Sequence, residues 1–261
     1  GSDSARREGI SRPSTTFWKD AIGRLMKNKV AVVCFFIIVL LILSCIIVPF
    51  FSPFESREQH LGEVNKGFMT VCTDSRYEGQ HHVHYFGTDN LGRDLFLRAF
   101  EGGRVSLMIA FAAVFVNLIV GLIYGGISGY IGGAVDTIMM RIVEIVNGIP
   151  YLIVVILLMM VLPKGIFTMV VAYGITGWTG MARLVRGQVL QLKSQEYIVA
   201  AEAMGAKSSR IIAKHLIPNA LSVIIINVTL AIPSAIFTEA FLSYIGLGVP
   251  VPQPSWGVLA K

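Results

Sequence analysis

Five potential metal-ligating side chains occur in one polar stretch of the sequence, between residues 51 and 104. They are His60, Cys72, His81, His82 and His84. Imidazole and thiolate are common ligands of transition metals, and one hypothesis for this group is a nickel site. Their spacing matches no zinc-binding pattern, however, and a solvated loop would hold such side chains apart. We therefore expect no metal site here.

Four ionisable residues lie within or close to strongly apolar stretches. They are Asp136, Arg141, Glu144 and Glu239. Charged groups at membrane depth are costly and often line a transport path, so these are candidate pathway or gate residues. Arg141 and Glu144 are three residues apart and can pair on a helix. The alternative is that all four lie near the membrane surface, where a charge costs little.

The sequence contains no recognisable catalytic motif. Neither His-Glu-x-x-His nor Gly-x-Ser-x-Gly occurs. The segment 204–209 lacks the adjacent Gly-Lys pair of a phosphate-binding loop. We therefore predict that the chain is not an enzyme and binds no cofactor of its own.

The composition indicates which elements must position these residues. Hydrophobic residues make up 54% of the 261 residues, charged residues only 15%, and the mean hydropathy is +0.68. Soluble proteins carry about 25% charged residues. Such a chain cannot hide its apolar surface from water, so the composition predicts an integral membrane protein.

Five apolar segments are long enough to cross a bilayer, which requires about 20 residues. They cover approximately residues 30–50, 105–130, 138–162, 166–182 and 217–244. We therefore predict an all-α polytopic membrane protein with five transmembrane helices, and we expect a sixth to follow Lys261.

The distribution of charge predicts the orientation. Basic residues are concentrated in segment 1–29 and in the loop at about 183–216, which places both in the cytoplasm. The loop 51–104 is acidic and is predicted to be extracytoplasmic, and 105–261 forms the remaining core. Phe17, Ile22, Leu25 and Met26 recur at helical spacing, which is typical of an interfacial amphipathic helix. The alternative is an ordinary basic flank to the first span.

Gly121, Gly125 and Gly129 repeat at four-residue spacing in the second span. Small residues at this spacing let two helix backbones approach closely. The stripe could pack against a partner protein or against another helix of this chain, and the sequence alone favours the second possibility only slightly.

The cytoplasmic segment 194–219 is too polar to span a membrane, and its residue pattern predicts short helices and not an irregular loop. Ser194 can cap a short helix, and Gly205 suits the left-handed residue that ends it. Ser208 or Ser209 can cap a second helix, and Pro218 marks the start of the last span. Alanines leave one face of the first helix small, so we predict that it docks on another protein.

This segment resembles the signature loop of ABC importer permeases. Ala200-Ala201, Gly205 and Ile217-Pro218 match that loop, although Val199 replaces its glutamate. The resemblance implies a coupling helix that docks on an ATPase subunit, and Glu196 or Glu202 could supply the missing charge. The residues assigned to ATPase coupling are Glu196, Val199, Ala200, Ala201, Glu202, Met204, Gly205 and Ala206.

A second motif, in segment 86–94, resembles the permeases of dipeptide, oligopeptide and nickel transport. The resemblance assigns its residues to the outer mouth, facing a substrate-binding protein: Gly87, Thr88, Asp89, Gly92, Arg93 and Asp94. Thr88 or Asp89 can cap the helix that follows, with Arg93 and Asp94 in its first turns. The alternative is a purely structural cap and ion pair. Segments 241–248 and 254–257 extend the resemblance over nearly the whole chain.

The resemblance implies the type I ABC importer permease fold and import of short peptides through the bacterial cytoplasmic membrane. Its implied partners are a second permease, two ATPases that bind ATP and magnesium, and a substrate-binding protein; nucleic acid is not among them. Import of nickel or another small solute remains an alternative. A stand-alone secondary transporter is less favoured, because the spans contain few ionisable residues.

Overall fold

A computed structural model describes residues 17–74 and 82–260, with side chains from residue 22 onward. His81 lies outside the described residues. The described part is mainly helical: α1 (Phe17–Lys27), α2 (Lys29–Phe51), α3 (Leu95–Ile131), α4 (Gly133–Asn147), α5 (Tyr151–Val161), α6 (Ile166–Thr176), α7 (Trp178–Lys193), α8 (Glu196–Ala203), α9 (Ser208–Ile211), α10 (Ile217–Tyr244) and α11 (Trp256–Leu259). Two short antiparallel strands, β1 (Thr70–Val71) and β2 (Val83–His84), pair within the loop between α2 and α3.

Within the described residues, three helices are long and apolar enough to span a membrane. They are α2, α3 and the continuous helix Ser208–Tyr244, which joins α9 to α10 through a π-helical segment at Ile212–Leu216. A fourth candidate is the pair α4 and α5, which is bent by 77°. The prediction of membrane-spanning helices is confirmed, whereas the predicted number of five is not.

Glycine and proline account for the interruptions in the predicted spans. Pro150 precedes α5 and lacks the N–H that a continuous helix would use, so the predicted third span is divided into α4 and α5. The predicted fourth span is divided at Gly177 into α6 and the first turn of α7. A Cβ atom at Gly177 would collide with the amide of Asn117 on α3. The break therefore lies where a neighbouring helix approaches closely.

Helix α2 exposes nearly all of its apolar side chains. Only 6% of the residues in its most hydrophobic stretch are buried within the chain, and Phe36, Leu40 and Phe50 are more than half exposed. Cys45 is the exception, because it packs on α3 over Gly103. Lipid is the solvent in which such a helix is stable, since its backbone hydrogen bonds are satisfied internally.

The glycine stripe of α3 packs against α7 of the same chain. A Cβ atom at Gly121 would collide with Met181, and one at Gly125 would collide with the carbonyl oxygen of Ala182. The two helices can be this close only because the α3 positions are glycines. Of the two interpretations of the stripe, packing within the chain is the one observed.

The two largest apolar clusters among the described residues lie at opposite ends of the bundle. One, near α8, brings α3, α7 and α10 together around Val185, Val189, Ile198 and Leu216. The other, near the α2–α3 loop, includes Ile109, Val155, Met169 and Leu242. We call these the α8 end and the loop end of the bundle.

Candidate functional site

Helix α8 ends in the left-handed glycine that the sequence predicts. Gly205 has φ +79°, and its N–H donates to the carbonyl of Glu202 while the N–H of Ala206 donates to the carbonyl of Ala201. This pair of bonds is a Schellman motif, which stops the helix. The predicted N-caps were wrong. Gln195 and Lys207 occupy the cap positions of α8 and α9, and neither makes a side-chain cap bond.

One face of α8 is buried and the other is exposed. Ile198 is fully buried and Ala201 is 6% exposed, and both face the core at the α8 end. The exposed side, which we call the α8 surface, consists of Tyr197, Val199, Ala200, Ala203 and Met204. Ala201 was predicted to belong to the docking surface, but it packs inward because it is three residues after Ile198 on the same face.

Two hydrogen bonds fasten α8 to the bundle, and a third supports one of them. The Tyr130 hydroxyl, in the last turn of α3, donates to Glu202 Oε1 at 3.0 Å. Lys193 Nζ at the end of α7 donates to the backbone carbonyl of Tyr130 at 2.6 Å. Asn219 Nδ2 on α10 donates to the Tyr197 hydroxyl at 3.1 Å. The helix is thus bonded to α3 and to α10, with its apolar surface outward.

The two acidic residues of α8 have different surroundings. Glu196 is exposed in the first turn, where a negative charge is favoured by the helix dipole. Glu202 is one turn further on and accepts the hydrogen bond from Tyr130. Both side chains are exposed, but only Glu202 is bonded to another helix of the chain.

Asp136 ties three helices together at the α8 end. Arg186 on α7 donates to both of its carboxylate oxygens, through Nε and Nη2, and Ser128 on α3 donates to Oδ1. Bidentate arginine–carboxylate pairs are among the stronger charge-assisted contacts. The sequence analysis predicted Asp136 as a gate candidate but did not predict that Arg186 is its partner.

Arg141 and Glu144 form the ion pair that the sequence predicts, with Nη1 2.6 Å from Oε2. The pair lies on the outside of α4, where the side chains are 71% and 60% exposed. It makes no contribution to the core of this chain, so the pair faces whatever surrounds α4.

Glu239 is buried at the loop end, with 1% of its surface exposed. Ser106 on α3 donates to Oε2 at 2.7 Å, and Ser243 on α10 donates to Oε1 at 2.6 Å. The backbone N–H of Trp256 in α11 donates to the Ser106 hydroxyl at 3.1 Å. The carboxylate therefore joins α3, α10 and α11.

The motif at 86–94 forms a tight turn that leads into α3. Gly87 and Gly92 both have positive φ, and a Cβ atom at Gly92 would collide with the carbonyl oxygen of His60. Thr88 accepts a hydrogen bond from the Lys66 N–H at 2.9 Å and so ties the turn to the loop. These positions need glycine both for the left-handed backbone and for the close approach.

The helix cap lies at Asp94 and not at the predicted Thr88 or Asp89. Asp94 Oδ1 accepts from the N–H of Leu97 at 2.7 Å, so α3 begins at Leu95. Asp89 does not cap the helix, because its carboxylate accepts hydrogen bonds from backbone N–H groups within its own turn. Its Oδ1 accepts from the N–H groups of Leu91 and Arg93, both at 2.9 Å.

Asp89 and Arg93 form an ion pair in which two guanidinium nitrogens contact one carboxylate oxygen. Arg93 Nε and Nη2 each lie 2.7 Å from Asp89 Oδ2. Burial by itself raises the pKa of Asp89, but the hydrogen bonds donated by Arg93 and by the Leu91 N–H outweigh it and hold the pKa below its ordinary value. Of the structural alternative that the sequence left open, the ion pair is present, whereas the cap lies at Asp94 instead.

Beside this turn lies a buried group of polar side chains, which we call the loop cluster: His60, Glu63, Cys72 and His84. All are less than 9% exposed. The expectation of a solvated loop was wrong, because Phe54, Cys72 and Leu97 form a small apolar core there and Phe54 stacks on the His84 ring at 4.4 Å.

His84 bridges two carboxylates in the loop cluster. Its Nδ1 lies 2.7 Å from Asp94 Oδ2 and its Nε2 lies 3.1 Å from Glu63 Oε2. Burial lowers the pKa of His84, but the two carboxylates outweigh it and raise the pKa. Burial likewise raises the pKa of Glu63, yet the hydrogen bonds donated by Thr73 and His84 bring it below its ordinary value. Both shifts favour the charged pair.

Sequence reasoning missed several residues that hold these sites. Tyr130, Arg186 and Glu63 were not singled out, although each makes a contact that fixes a predicted site residue. A tyrosine and an arginine at the ends of apolar segments are a usable signal, because such residues anchor helix ends. Glu63 gave no such signal, since its partners come from separate parts of the loop.

The sequence matches known families over most of its length. Residues 117–260 match the family described as binding-protein-dependent transport system inner membrane component. Residues 16–67 match the N-terminal transmembrane domain of oligopeptide transport permease C.

Similar proteins are named as peptide permeases. The oligopeptide transport system permease protein OppC of Bacillus subtilis is 50% identical, over 97% of this chain and 79% of the relative. The dipeptide transport system permease protein DppC of the same organism is 47% identical, over 97% and 76%. OppC of Escherichia coli is 43% identical, over 97% and 80%.

The fold also has a counterpart among solved structures. A chain of the MetNI methionine ABC transporter, in an inward-facing conformation, superposes with a TM-score of 0.50 over 56% of this chain and 73% of the other, at 22% identity. The solved structure shows a related fold. The family match over residues 117–260 and the relatives of up to 50% identity show that the chain belongs to the family of inner-membrane components of binding-protein-dependent transport systems.

Proposed function

We propose that this chain is the transmembrane permease subunit of an ABC importer that moves di- or oligopeptides across the bacterial cytoplasmic membrane. The observation that carries the proposal is the α8 surface, a small apolar surface held outward by hydrogen bonds to α3 and α10. The peptide class rests on the names of relatives that are up to 50% identical.

The proposed partners follow from the two ends of the bundle. An ATPase subunit docks on the α8 surface in the cytoplasm and binds ATP and magnesium, and a second ATPase docks on a second, similar permease. A substrate-binding protein docks at the loop end, near the turn at 86–94. The basic N-terminal segment supports a cytoplasmic N-terminus.

In this mechanism α8 transmits the movement of the ATPase to the spans. Glu202 passes the displacement to α3 through Tyr130, and Tyr197 passes it to α10 through Asn219. Two bonded connections to different helices allow α8 to move them together. The two permeases would thereby open their shared path alternately to each side.

The candidate pathway residues divide into two groups on this geometry. Asp136 and Glu239 accept hydrogen bonds from neighbouring helices, which supports a role in fastening the bundle. Arg141 and Glu144 are exposed on α4, so they are the pair that we propose to face the path or the second permease.

The test compares ATPase capture by membrane complexes that carry changes on and off the α8 surface. Ala200→Asp with Met204→Asp places two charges on exposed positions and leaves the buried Ile198 and Ala201 intact. Ala213→Asp, also exposed but outside α8, is the control. We expect the double variant to lose the copurifying ATPase and the control to keep it. Equal capture by both would contradict the docking assignment.

Substrate class requires a separate measurement. Cells that lack the native permease are supplied with this chain and its partners, and uptake of a labelled tripeptide is compared with uptake of nickel ions. We expect uptake of peptide alone. Uptake of nickel without peptide would replace the peptide proposal with the metal-ion alternative of the same family.

A further inference from the structure

Three potential ligand atoms of the loop cluster converge on one point. His60, Glu63 and Cys72 each offer one such atom, and the three atoms all lie within 4.8 Å of one another. The side chains are 1%, 2% and 8% exposed. An imidazole, a carboxylate and a thiol are thus held together out of water, although Cys72 is nine positions from Glu63 in the sequence.

Neighbouring side chains orient these groups. Asp74 Oδ2 lies 2.8 Å from His60 Nδ1, which favours the tautomer with the proton on Nδ1 and the lone pair on Nε2. The Thr73 hydroxyl donates to Glu63 Oε1 at 2.8 Å. Carboxylates and hydroxyls that hold histidine and carboxylate ligands in this way are typical of metal sites, where they fix the direction of the ligand lone pairs.

The spacing suits a small tetrahedral ion. Zinc forms bonds of about 2.3 Å to sulfur and about 2.1 Å to oxygen, so two such ligands in a tetrahedron lie about 3.6 Å apart. Cys72 Sγ and Glu63 Oε2 are 3.4 Å apart. The pair therefore needs almost no movement to share an ion.

The donor types select the class of metal. A mixed nitrogen, oxygen and sulfur set suits zinc, whereas calcium and magnesium prefer oxygen ligands alone. A thiolate and a carboxylate together carry two negative charges, which neutralise a divalent ion. On binding, the metal–sulfur bond forms as the Cys72 S–H bond breaks, and the proton is released to solvent.

We propose that His60, Glu63 and Cys72 bind a zinc-like divalent cation, with water at the fourth position. His84 holds Glu63 in place, because its Nε2 is 3.1 Å from Glu63 Oε2 and its Nδ1 is 2.7 Å from Asp94 Oδ2. The ion would fasten the segment after α2 to the strand β1 and, through His84, to the start of α3. This site is independent of the transported substrate.

The test uses the intact chain in detergent, loaded with zinc alone and then desalted. Zinc per chain is measured by elemental analysis, and affinity is measured by competition with a chromogenic chelator. We expect one tightly held zinc per wild-type chain and an affinity at least tenfold weaker in Cys72→Ser and in Glu63→Gln. Cys34→Ser, which removes an exposed cysteine on α2, is the matched control and keeps wild-type affinity.

Cobalt loading of the wild-type chain tests ligation without relying on any variant. A cobalt–thiolate charge-transfer band in the near ultraviolet is expected in the wild type and in Cys34→Ser, and it should be absent from Cys72→Ser. Glu63→Gln keeps the size of the side chain, so a loss of affinity there is not a loss of packing. The proposal is overturned if the wild type retains no zinc or if its cobalt form lacks the thiolate band.

Discussion

The hydroxyl of Tyr130 donates a hydrogen bond of 3.0 Å to Glu202 across 72 positions of sequence. Tyr130 lies in the last turn of α3, and Glu202 lies on α8. The nearby Lys193 ammonium is 5.1 Å from the centre of the Tyr130 ring, so the tyrosine is also held from α7. A side chain at the end of one span thus contacts the element proposed to dock on the ATPase.

Removing this hydroxyl is expected to weaken coupling without preventing assembly. Tyr130→Phe loses one hydrogen bond to a carboxylate, which costs about 1 to 3 kcal/mol where the acceptor is charged. We expect the ATPase to copurify as before and substrate-stimulated ATP hydrolysis in proteoliposomes to fall several-fold. Tyr244→Phe, exposed at the opposite end of α10, is the control. Unchanged stimulation in Tyr130→Phe would show that this bond carries no coupling.

The left-handed backbone at Gly205 gives a second prediction. A Cβ atom there would meet nothing within 4 Å, so the cost of Gly205→Ala is conformational only, about 1 to 2 kcal/mol. The Schellman motif should loosen and ATPase affinity should fall about tenfold, whereas Gly205→Asn should be milder because asparagine tolerates this conformation. Gly187→Ala, in ordinary helix on α7 with equal room, is the control and should not lower affinity. The measurement is a titration of detergent-solubilised chain with ATPase; equal affinities for the two alanine variants would refute the backbone argument.

The Asp136–Arg186 pair is expected to stabilise the packing of α4 on α7. Asp136→Asn and Arg186→Gln should each lower the unfolding temperature in detergent, because each leaves a partly buried charge without its bidentate partner. The double variant should lose less than the sum of the two single losses, with a coupling energy of about 1 to 3 kcal/mol. Arg141→Gln with Glu144→Gln, the exposed pair on α4, is the comparison and should show weak coupling. Additive losses at Asp136 and Arg186 would mean that the interaction between the two side chains does not stabilise the fold.

Asp89 should make the turn at 86–94 sensitive to acid. Its pKa in the folded chain lies below the ordinary value of about 3.9, so the ionised form contributes stability above that pH, and this stability is lost as pH falls through the folded pKa. Asp89→Asn should therefore unfold at a lower temperature than wild type near neutral pH, and the difference should shrink in acid. Glu55→Gln, exposed in the same loop, is the control. A difference that is the same at pH 7 and in acid would rule out the ion pair as its cause.

Local signals made part of this structure predictable. The bounds of α10 match the predicted last span of 217–244, because a long apolar run in lipid has one stable backbone solution. The left-handed Gly205 was predictable because few other residues end a helix in that conformation. The position of helix α8 was predictable, whereas the sequence analysis did not foresee that Ala201 lies on its buried face.

The contacts between distant segments were not predictable from the sequence. Asp136 and Arg186 are 50 positions apart, and either could have paired elsewhere. The cap of α3 was misplaced because the hydrogen bonds of Asp89 to its own turn were not foreseen. The residues of the loop cluster come from separate places around the paired strands β1 and β2, and they share no periodic pattern in the sequence.

The continuous helix Ser208–Tyr244 has a mechanical consequence. With 37 residues, it is about 55 Å long at a rise of about 1.5 Å per residue. It begins beside α8 and ends shortly after Glu239, so it extends across the full thickness of the bundle. A tilt of about 10° about one end of a rod of that length displaces the other by about 10 Å. A small rotation at the α8 end would therefore produce a large displacement at the loop end.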